Sequence, residues 1–164
     1  MSRIHQLRSV QRLPVSLERA WEFFSDPRNL VILTPGFLNL KIVGLPLEEI
    51  YAGQVILYMV TPLFGIPLSW MTEITHVEKG KRFVDEQRKG PYLLWHHQHH
   101  FHPINGGVEM TDIVHYRIPL GLAGELAHKM IVRKKRSQIF SWRYQCINTV
   151  FGPWPGDGLR VVIE

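Results

Sequence analysis

The chain has 164 residues, of which 45% are hydrophobic and 20% charged, with a net charge of +5. These proportions exclude a disordered chain, and the length fits one domain with a substantial core. The basic residues are scattered except for a run at 133–136 (RKKR). Four consecutive helix positions point around the whole circumference, so this run predicts a solvated surface and does not favour nucleic-acid binding.

The scarcity of cysteine and of long apolar segments indicates the cellular location. Cys146 is the single cysteine, which excludes an internal disulfide framework and fits a reducing compartment. The first twelve residues have no apolar core of a secretory signal. The charge-free stretch at 53–72 approaches membrane-spanning length, but Pro62, Gly65 and Pro67 favour strand, turn and strand. We expect a cytoplasmic protein without a membrane span, and the sequence does not indicate its oligomeric state.

The chain begins with a strand-like segment at residues 4–13, followed by two short helices. Ser16 is a natural N-cap for the first helix. Asp26 before Pro27 marks the start of the second, which must end before Pro35. The apolar residues of the first helix recur at helical spacing: Leu17, Ala20, Trp21 and Phe24.

In residues 38–118, apolar and β-branched runs alternate with turns marked by glycine and proline, a pattern typical of strands. The sequence RKG at 88–90 predicts a three-residue hairpin loop, and INGG at 104–107 predicts a four-residue loop. Short connections between successive strands predict an antiparallel meander, giving six or seven strands in all.

A helical pattern extends from about Gly121 to Val150. We expect this long helix to pack across the concave face of the sheet, with residues 133–137 as its least buried part. The sequence therefore predicts one α+β domain over residues 1–151. A tail at 152–164, rich in proline and glycine, is expected to lie over the surface and to add a short end strand at most.

Five histidines lie within WHHQHHFHP at residues 95–103. Because this segment lies between two turns, it is best interpreted as a strand, whose alternation sorts its side chains onto two faces. The inward face carries Trp95, His97, His99 and Phe101. The outward face carries His96, Gln98, His100 and His102, and its histidines are expected to be largely exposed.

The neighbouring strands add polar groups to the same interior. If INGG forms the predicted loop, His99 faces Asp112 on the next strand, where Tyr116 also points inward. On the other side, the RKG loop would place Phe83 near Trp95 and turn Asp85 and Gln87 inward. The sequence thus predicts an aromatic interior that contains several polar side chains.

Three interpretations fit such an interior. The polar groups form a hydrogen-bonded network of their own, or they meet a ligand in a hollow interior, or they bind a metal. His97 and His99 would supply two metal ligands, with Asp112 as the third. The large supply of aromatic residues favours the ligand, and we expect neither a metal nor another cofactor.

Three segments resemble one known superfamily: AWEFFSDPRNLVILTPGF, FVDEQRKGPYLLWHHQHHFHPINGG and MTDIVHYRIPLG. They are similar to the START-like, Bet v 1-like SRPBCC superfamily, which includes relatives of polyketide cyclases and dehydrases, and specifically to its bacterial ligand-binding branch. The resemblance covers about residues 4–151. It implies a helix-grip fold with a cavity between the sheet and the long helix, suited to a lipophilic molecule.

The expected function is non-catalytic binding or carrying of a small hydrophobic molecule of lipid, polyketide or aromatic type. The alternative is a lyase of the cyclase or dehydratase type, in which His99 and Asp112 act as the general base and Tyr116 donates to a carbonyl oxygen. The expected ligand-binding residues are Trp70, Phe83, Gln87, Trp95, His97, His99, Phe101, Asp112, Tyr116 and Met130.

Overall fold

A computed structural model describes residues 3–44, 49–61, 65–119, 133–156 and 160–163. Its strands are β1 (His5–Leu13), β2 (Lys41–Val43), β3 (Val55–Val60), β4 (Leu68–Glu78), β5 (Arg82–Lys89), β6 (Leu94–Ile104), β7 (Gly107–Arg117) and β8 (Arg160–Ile163). Its α-helices are α1 (Leu17–Phe24), α2 (Leu30–Leu33) and α3 (Arg133–Phe151), with short 3-10 turns at Pro27–Asn29 and Gly36–Leu38.

Among the described residues, eight strands form one sheet in the order β2-β3-β4-β5-β6-β7-β1-β8. Every pairing in this sheet is antiparallel. The sheet together with the C-terminal helix confirms the predicted α+β helix-grip fold. The strand β8 belongs to the proline- and glycine-rich tail and pairs with β1.

The two helices after β1 begin at the residues that the sequence indicated. The hydroxyl of Ser16 accepts a hydrogen bond from the Arg19 N–H at 3.2 Å. The carboxylate of Asp26 accepts one from the Arg28 N–H at 2.9 Å, with Pro27 in the first turn. These side chains satisfy N–H groups that have no partner within the helix, which fixes where each helix starts.

The hairpin between β6 and β7 has the predicted register. Ile104 pairs with Gly107, so the turn contains two residues where four were predicted, and Gly106 supplies the positive φ of 86°. His99 faces Asp112 as expected. A shorter turn leaves the register unchanged because both strands simply gain one more pair.

The predicted register between β5 and β6 is wrong. Phe83 faces His99, not Trp95, because the turn lies at residues 90–93 and not at 88–90. The side chain of Gln87 explains the larger turn: its amide donates to the Tyr92 carbonyl at 2.7 Å and accepts from the Tyr92 N–H at 3.2 Å. The register differs by an even number of residues, so every side chain keeps its predicted face.

The helix α3 packs on the face of the sheet that carries Trp95 and Phe101, as predicted. Its buried side chains are Phe140, Arg143 and Ile147. The buried amide of Gln11 on β1 also contacts this helix, donating to the carbonyl of Tyr144 at 3.3 Å and to the side chain of Asn148 at 3.0 Å. The predicted helix start near Gly121, Met130 and the side chains at 133–137 lie outside the described residues.

Two irregularities in the pairing of β4 with β5 bend the sheet. The register shifts between Met71 and Thr72 and again between Ile74 and His76. Bulges of this kind increase the local twist and bend a strand. After the second shift, Val77 packs against the core and His76 is exposed. In the part of the chain that the structure describes, no helix is both long enough and apolar enough to cross a membrane.

Gly107 at the start of β7 provides a test of this packing. A methyl group at Gly107 would overlap the carbonyl oxygen of Leu13 and lie 2.9 Å from the ring of Trp154. We expect Gly107→Ala to lower the free energy of unfolding by about 1–3 kcal/mol through overpacking. Gly36→Ala is the matched control, because nothing lies within 4 Å of a methyl group there. Urea unfolding of both variants checks this, and equal stabilities would contradict the described contact.

Candidate functional site

A band of charged side chains separates two hydrophobic clusters on the concave face of the sheet. The larger cluster contains Trp21, Phe83 and Phe101, and the smaller contains Tyr116 and Phe140. The strand β6 passes through both clusters and contributes histidines between them. The members of this polar band are Asp85, His97, His99, Asp112 and Arg143.

Each of the two inward imidazoles lies between the same two carboxylates. His99 Nδ1 is 2.7 Å from Asp112 Oδ1, and His99 Nε2 forms a 3.0 Å hydrogen bond with Asp85 Oδ2. The two nitrogens of His97 lie 3.4 Å from the same two oxygens. The imidazole centroids are 3.8 Å apart. Antiparallel pairing explains the arrangement, since Asp85 faces His97 on one side and Asp112 faces His99 on the other.

Arg143 on α3 completes the polar band and was not predicted from the sequence. Its Nη2 lies 3.6 Å from Asp112 Oδ1, and its guanidinium stands over the ring of Phe24 at 5.5 Å. Its position in the sequence could have indicated its burial, since Arg143 comes three residues after Phe140 and four before Ile147. Residues at these separations share one face of a helix.

The charges in the polar band shift its pKa values in different directions. Burial acts to raise the pKa of Asp112, but Arg143 and the imidazoles outweigh it and hold that pKa well below its usual range. Burial and the neighbouring charge of His99 lower the pKa of His97. Burial also opposes a charge on His99, yet Asp112 and Asp85 raise the pKa of its imidazole. The shifts therefore favour a proton on His99 over one on His97.

Several buried atoms of the polar band have no hydrogen-bond partner among the described residues. They are His97 Nε2, His99 Nδ1, Asp112 Oδ1 and Arg143 Nε. The contact between His99 and Asp112 is short, but its angles are not those of a hydrogen bond. Buried polar atoms without partners are rare and costly. Contacts among the described residues alone therefore leave hydrogen-bonding capacity unused in the polar band.

Next to the polar band lies a group of aromatic side chains that we call the aromatic wall: Trp70, Tyr92, Trp95 and Tyr116. Trp95 is central, with ring centroids 5.4 Å from Trp70, 4.9 Å from Tyr92 and 6.1 Å from His97. Tyr116 is fully buried, whereas the other three are half-buried. The structure thus brings together an apolar surface and a charged one.

The remaining expected site residues lie elsewhere on the concave face. Phe83 stacks on His99 with a centroid separation of 4.2 Å, on the side away from the aromatic wall. Phe101 packs in the larger hydrophobic cluster. Gln87 uses its amide to hold the backbone of Tyr92. Asp85 was predicted to point inward, and Tyr92 was not predicted to take part.

A surface pocket of about 470 Å³ lies between the Gly36–Leu38 turn and α3. The helix residues that line it are Gln138, Ser141, Trp142 and Gln145. They alternate with the buried Phe140, Arg143 and Ile147, so the pocket lies on the side of α3 away from the polar band. It is therefore distinct from the predicted space between the sheet and the helix.

The outward histidines of β6 are less exposed than expected. Only His102 is exposed, and His96 and His100 are half-buried. His96 Nδ1 lies 3.0 Å from a carboxylate oxygen of Glu86, and His100 Nε2 lies 2.9 Å from the amide oxygen of Gln98. A side chain on β5 and another on β6 itself thus partly cover these two imidazoles.

Solved bacterial structures share this fold. A protein from Chromobacterium violaceum is 16% identical with a TM-score of 0.68, over 92% of this chain and 99% of that one. A protein from Thermus thermophilus is 14% identical with a TM-score of 0.67, over 88% and 98%. A protein from Mycobacterium smegmatis is 19% identical with a TM-score of 0.62, over 88% and 89%. No protein-family model and no curated protein matches the sequence.

Replacing Arg143 tests the charge balance of the polar band. We expect Arg143→Met to lower the free energy of unfolding at pH 7 by about 3–5 kcal/mol, because it removes the guanidinium cation from beside a buried carboxylate. A depressed carboxylate pKa contributes stability that is present above the unfolded pKa and lost as pH falls. The difference from wild type should therefore shrink toward acidic pH, where Asp112 takes up a proton.

Urea unfolding between pH 7 and pH 2 measures this difference, because the depressed pKa of Asp112 places the change at the acidic end of that range. Arg19→Met is the matched control, since the side chain of Arg19 is 63% exposed, and its effect should stay within about 0.5 kcal/mol. A loss of stability in Arg143→Met that stays constant across this pH range would show that Arg143 acts through packing and not through Asp112.

Proposed function

We propose that this protein binds a small hydrophobic molecule of lipid, polyketide or aromatic type, whose polar end meets the polar band. The observation that carries the proposal is the set of buried, unpartnered polar atoms on His97, His99, Asp112 and Arg143, adjacent to half-buried aromatic rings. Ligand sites typically combine an apolar lining with a few convergent polar groups. The resemblance of the sequence to the SRPBCC superfamily supports the same function.

The two parts of the site would make different contributions to binding. Trp70, Tyr92 and Trp95 offer aromatic surface that is half-exposed in the described chain. Covering such surface contributes about 25 cal/mol per Å² of apolar area. Arg143 Nε can only donate a hydrogen bond and Asp112 Oδ1 can only accept one while ionised. A ligand with a hydroxyl group, which does both, fits this combination.

Ligand binding is tested on freshly purified wild-type protein. Native mass spectrometry is expected to show a small apolar compound that stays bound under gentle conditions. Titration with an anilinonaphthalene dye then measures affinity for a probe with an apolar body and one polar end. We expect Trp70→Leu to weaken dye binding about tenfold by removing part of the aromatic wall.

Trp142→Leu is the matched control. Trp142 is also a partly exposed tryptophan, but it lines the surface pocket on the far side of α3. Binding that is weakened by Trp142→Leu and unaffected by Trp70→Leu would move the ligand to that surface pocket. Absence of both a copurified compound and dye binding would refute the proposed function.

A second candidate function is general-base catalysis of the cyclase or dehydratase type. It is favoured by the contacts of His99, which lies 2.7 Å from one carboxylate and 3.0 Å from the other. In its neutral form, an imidazole oriented by carboxylates can remove a proton from the carbon next to a carbonyl group. The phenol of Tyr116, on the same face of β7 as Asp112, would donate to the carbonyl oxygen.

Deuterium exchange separates catalysis from binding. Acetophenone in D₂O should exchange the hydrogens beside its carbonyl faster with wild-type protein than without protein, and Asp112→Asn should remove the increase. His76→Gln, at an exposed histidine, is the control. Equal exchange rates with and without protein would exclude this candidate. The unfolding free energy of Asp112→Asn is measured in parallel, since a loss of about 3 kcal/mol or more marks a structural ion pair.

A further inference from the structure

The side of the two inward imidazoles that faces Asp85 has the geometry of a metal site. One ligand atom from each of Asp85, His97 and His99 lies within 4.8 Å of the other two. Asp85 Oδ2 is 3.4 Å from His97 Nδ1 and 3.0 Å from His99 Nε2. Tetrahedral zinc with bonds of about 2.0–2.1 Å separates its ligand atoms by about 3.3 Å. The two distances from Asp85 are within a few tenths of an ångström of that spacing.

We propose that Asp85, His97 and His99 bind a divalent first-row transition ion, and that Zn²⁺ fits them best. Two imidazoles and one carboxylate suit zinc, whereas calcium and magnesium prefer sites built wholly from oxygen. Three protein ligands leave one coordination position for water or for the polar end of a bound molecule. Metal binding does not require the hydrophobic ligand, since all three proposed metal ligands are side chains of this chain.

The other side of the same imidazoles supplies the supporting contacts that metal sites require. A nitrogen that binds a metal cannot carry a proton, so the proton moves to the other nitrogen of the ring. In His97 and His99 those other nitrogens, Nε2 and Nδ1, lie 3.4 and 2.7 Å from Asp112 Oδ1. All three atoms are buried without a hydrogen-bond partner among the described residues. The metal-bound tautomers would place the N–H of each ring on the side that faces Asp112.

The charges of the polar band are compatible with a divalent ion. Asp85 is the more accessible of the two carboxylates, with 18% of its side chain exposed against 7% for Asp112. Arg143 contacts Asp112 at 3.6 Å and so lies beside the supporting carboxylate. With both imidazoles neutral, a divalent ion, the Arg143 guanidinium and the two ionised carboxylates carry a summed charge of +1. An anionic fourth ligand, such as hydroxide or a carboxylate, would restore neutrality.

The experiment uses the full chain without a histidine tag and measures Zn²⁺ binding by calorimetry and by elemental analysis after gel filtration. We expect one zinc ion per chain. Asp85→Asn should weaken binding about 100-fold by removing an anionic ligand, and Asp112→Asn should weaken it about 10- to 100-fold by removing the supporting contact. Visible absorption of the Co²⁺ complex reports tetrahedral coordination. The melting temperature without metal confirms that each variant is folded.

The histidines on the outward face of the same strand provide the matched control. A variant with His96→Ser, His100→Ser and His102→Ser keeps the proposed ligands and should bind one zinc ion with unchanged affinity. If this variant loses zinc, the ion binds the outward histidines and the proposal is wrong. It is equally wrong if wild type takes up no zinc, or if Asp85→Asn binds as wild type does. Native mass spectrometry of apolar compounds reads out the proposed ligand function separately.

Discussion

The buried charge of Asp112 is the constraint on which the rest of the structure depends. Taking a carboxylate out of water costs several kcal/mol, which nearby cations and hydrogen-bond donors offset. Here the cations come from two different elements, His99 on the neighbouring strand and Arg143 on the C-terminal helix. The pairing of two strands and the docking of the helix are thus coupled at one oxygen atom. The amide of Gln11 holds the next turns of the helix to β1.

The sequence predicts those parts of the site that depend on strand alternation. His99 and Asp112 are found opposite each other. The alternation of side chains along a strand and the position of one short turn are enough to place them there. The partner of Phe83 is mispredicted because the turn is enlarged by the side chain of Gln87, a contact without a turn signature in the sequence. Arg143 could not be paired with Asp112 in advance, since the docking of a helix on a sheet follows from packing across the whole core.

Three different partners compete for the same atoms in the polar band. A proton on His99 balances the charges, but it leaves buried atoms of His97 and Asp112 without hydrogen bonds. A ligand with a hydroxyl group would satisfy those atoms while the proton remains. A metal ion would displace the proton from the His99 nitrogen that faces Asp85 and leave the N–H on the side of Asp112. Ligand and proton are therefore compatible with each other, whereas metal and proton exclude each other at His99 Nε2.

One strand thus gives the same residue type two kinds of chemistry. His96 and His100 lie on the outward face of β6, where they are half-buried and contact Glu86 and Gln98. His97 and His99 are buried between two carboxylates. Charges are poorly screened there, so the protonation of one imidazole changes the pKa of its neighbour. On the outward face, the histidines contact partly exposed side chains, the charged Glu86 and the neutral Gln98. On the inward face, a change in the charge of an imidazole is coupled to the gain or loss of a proton, a ligand or an ion in the polar band.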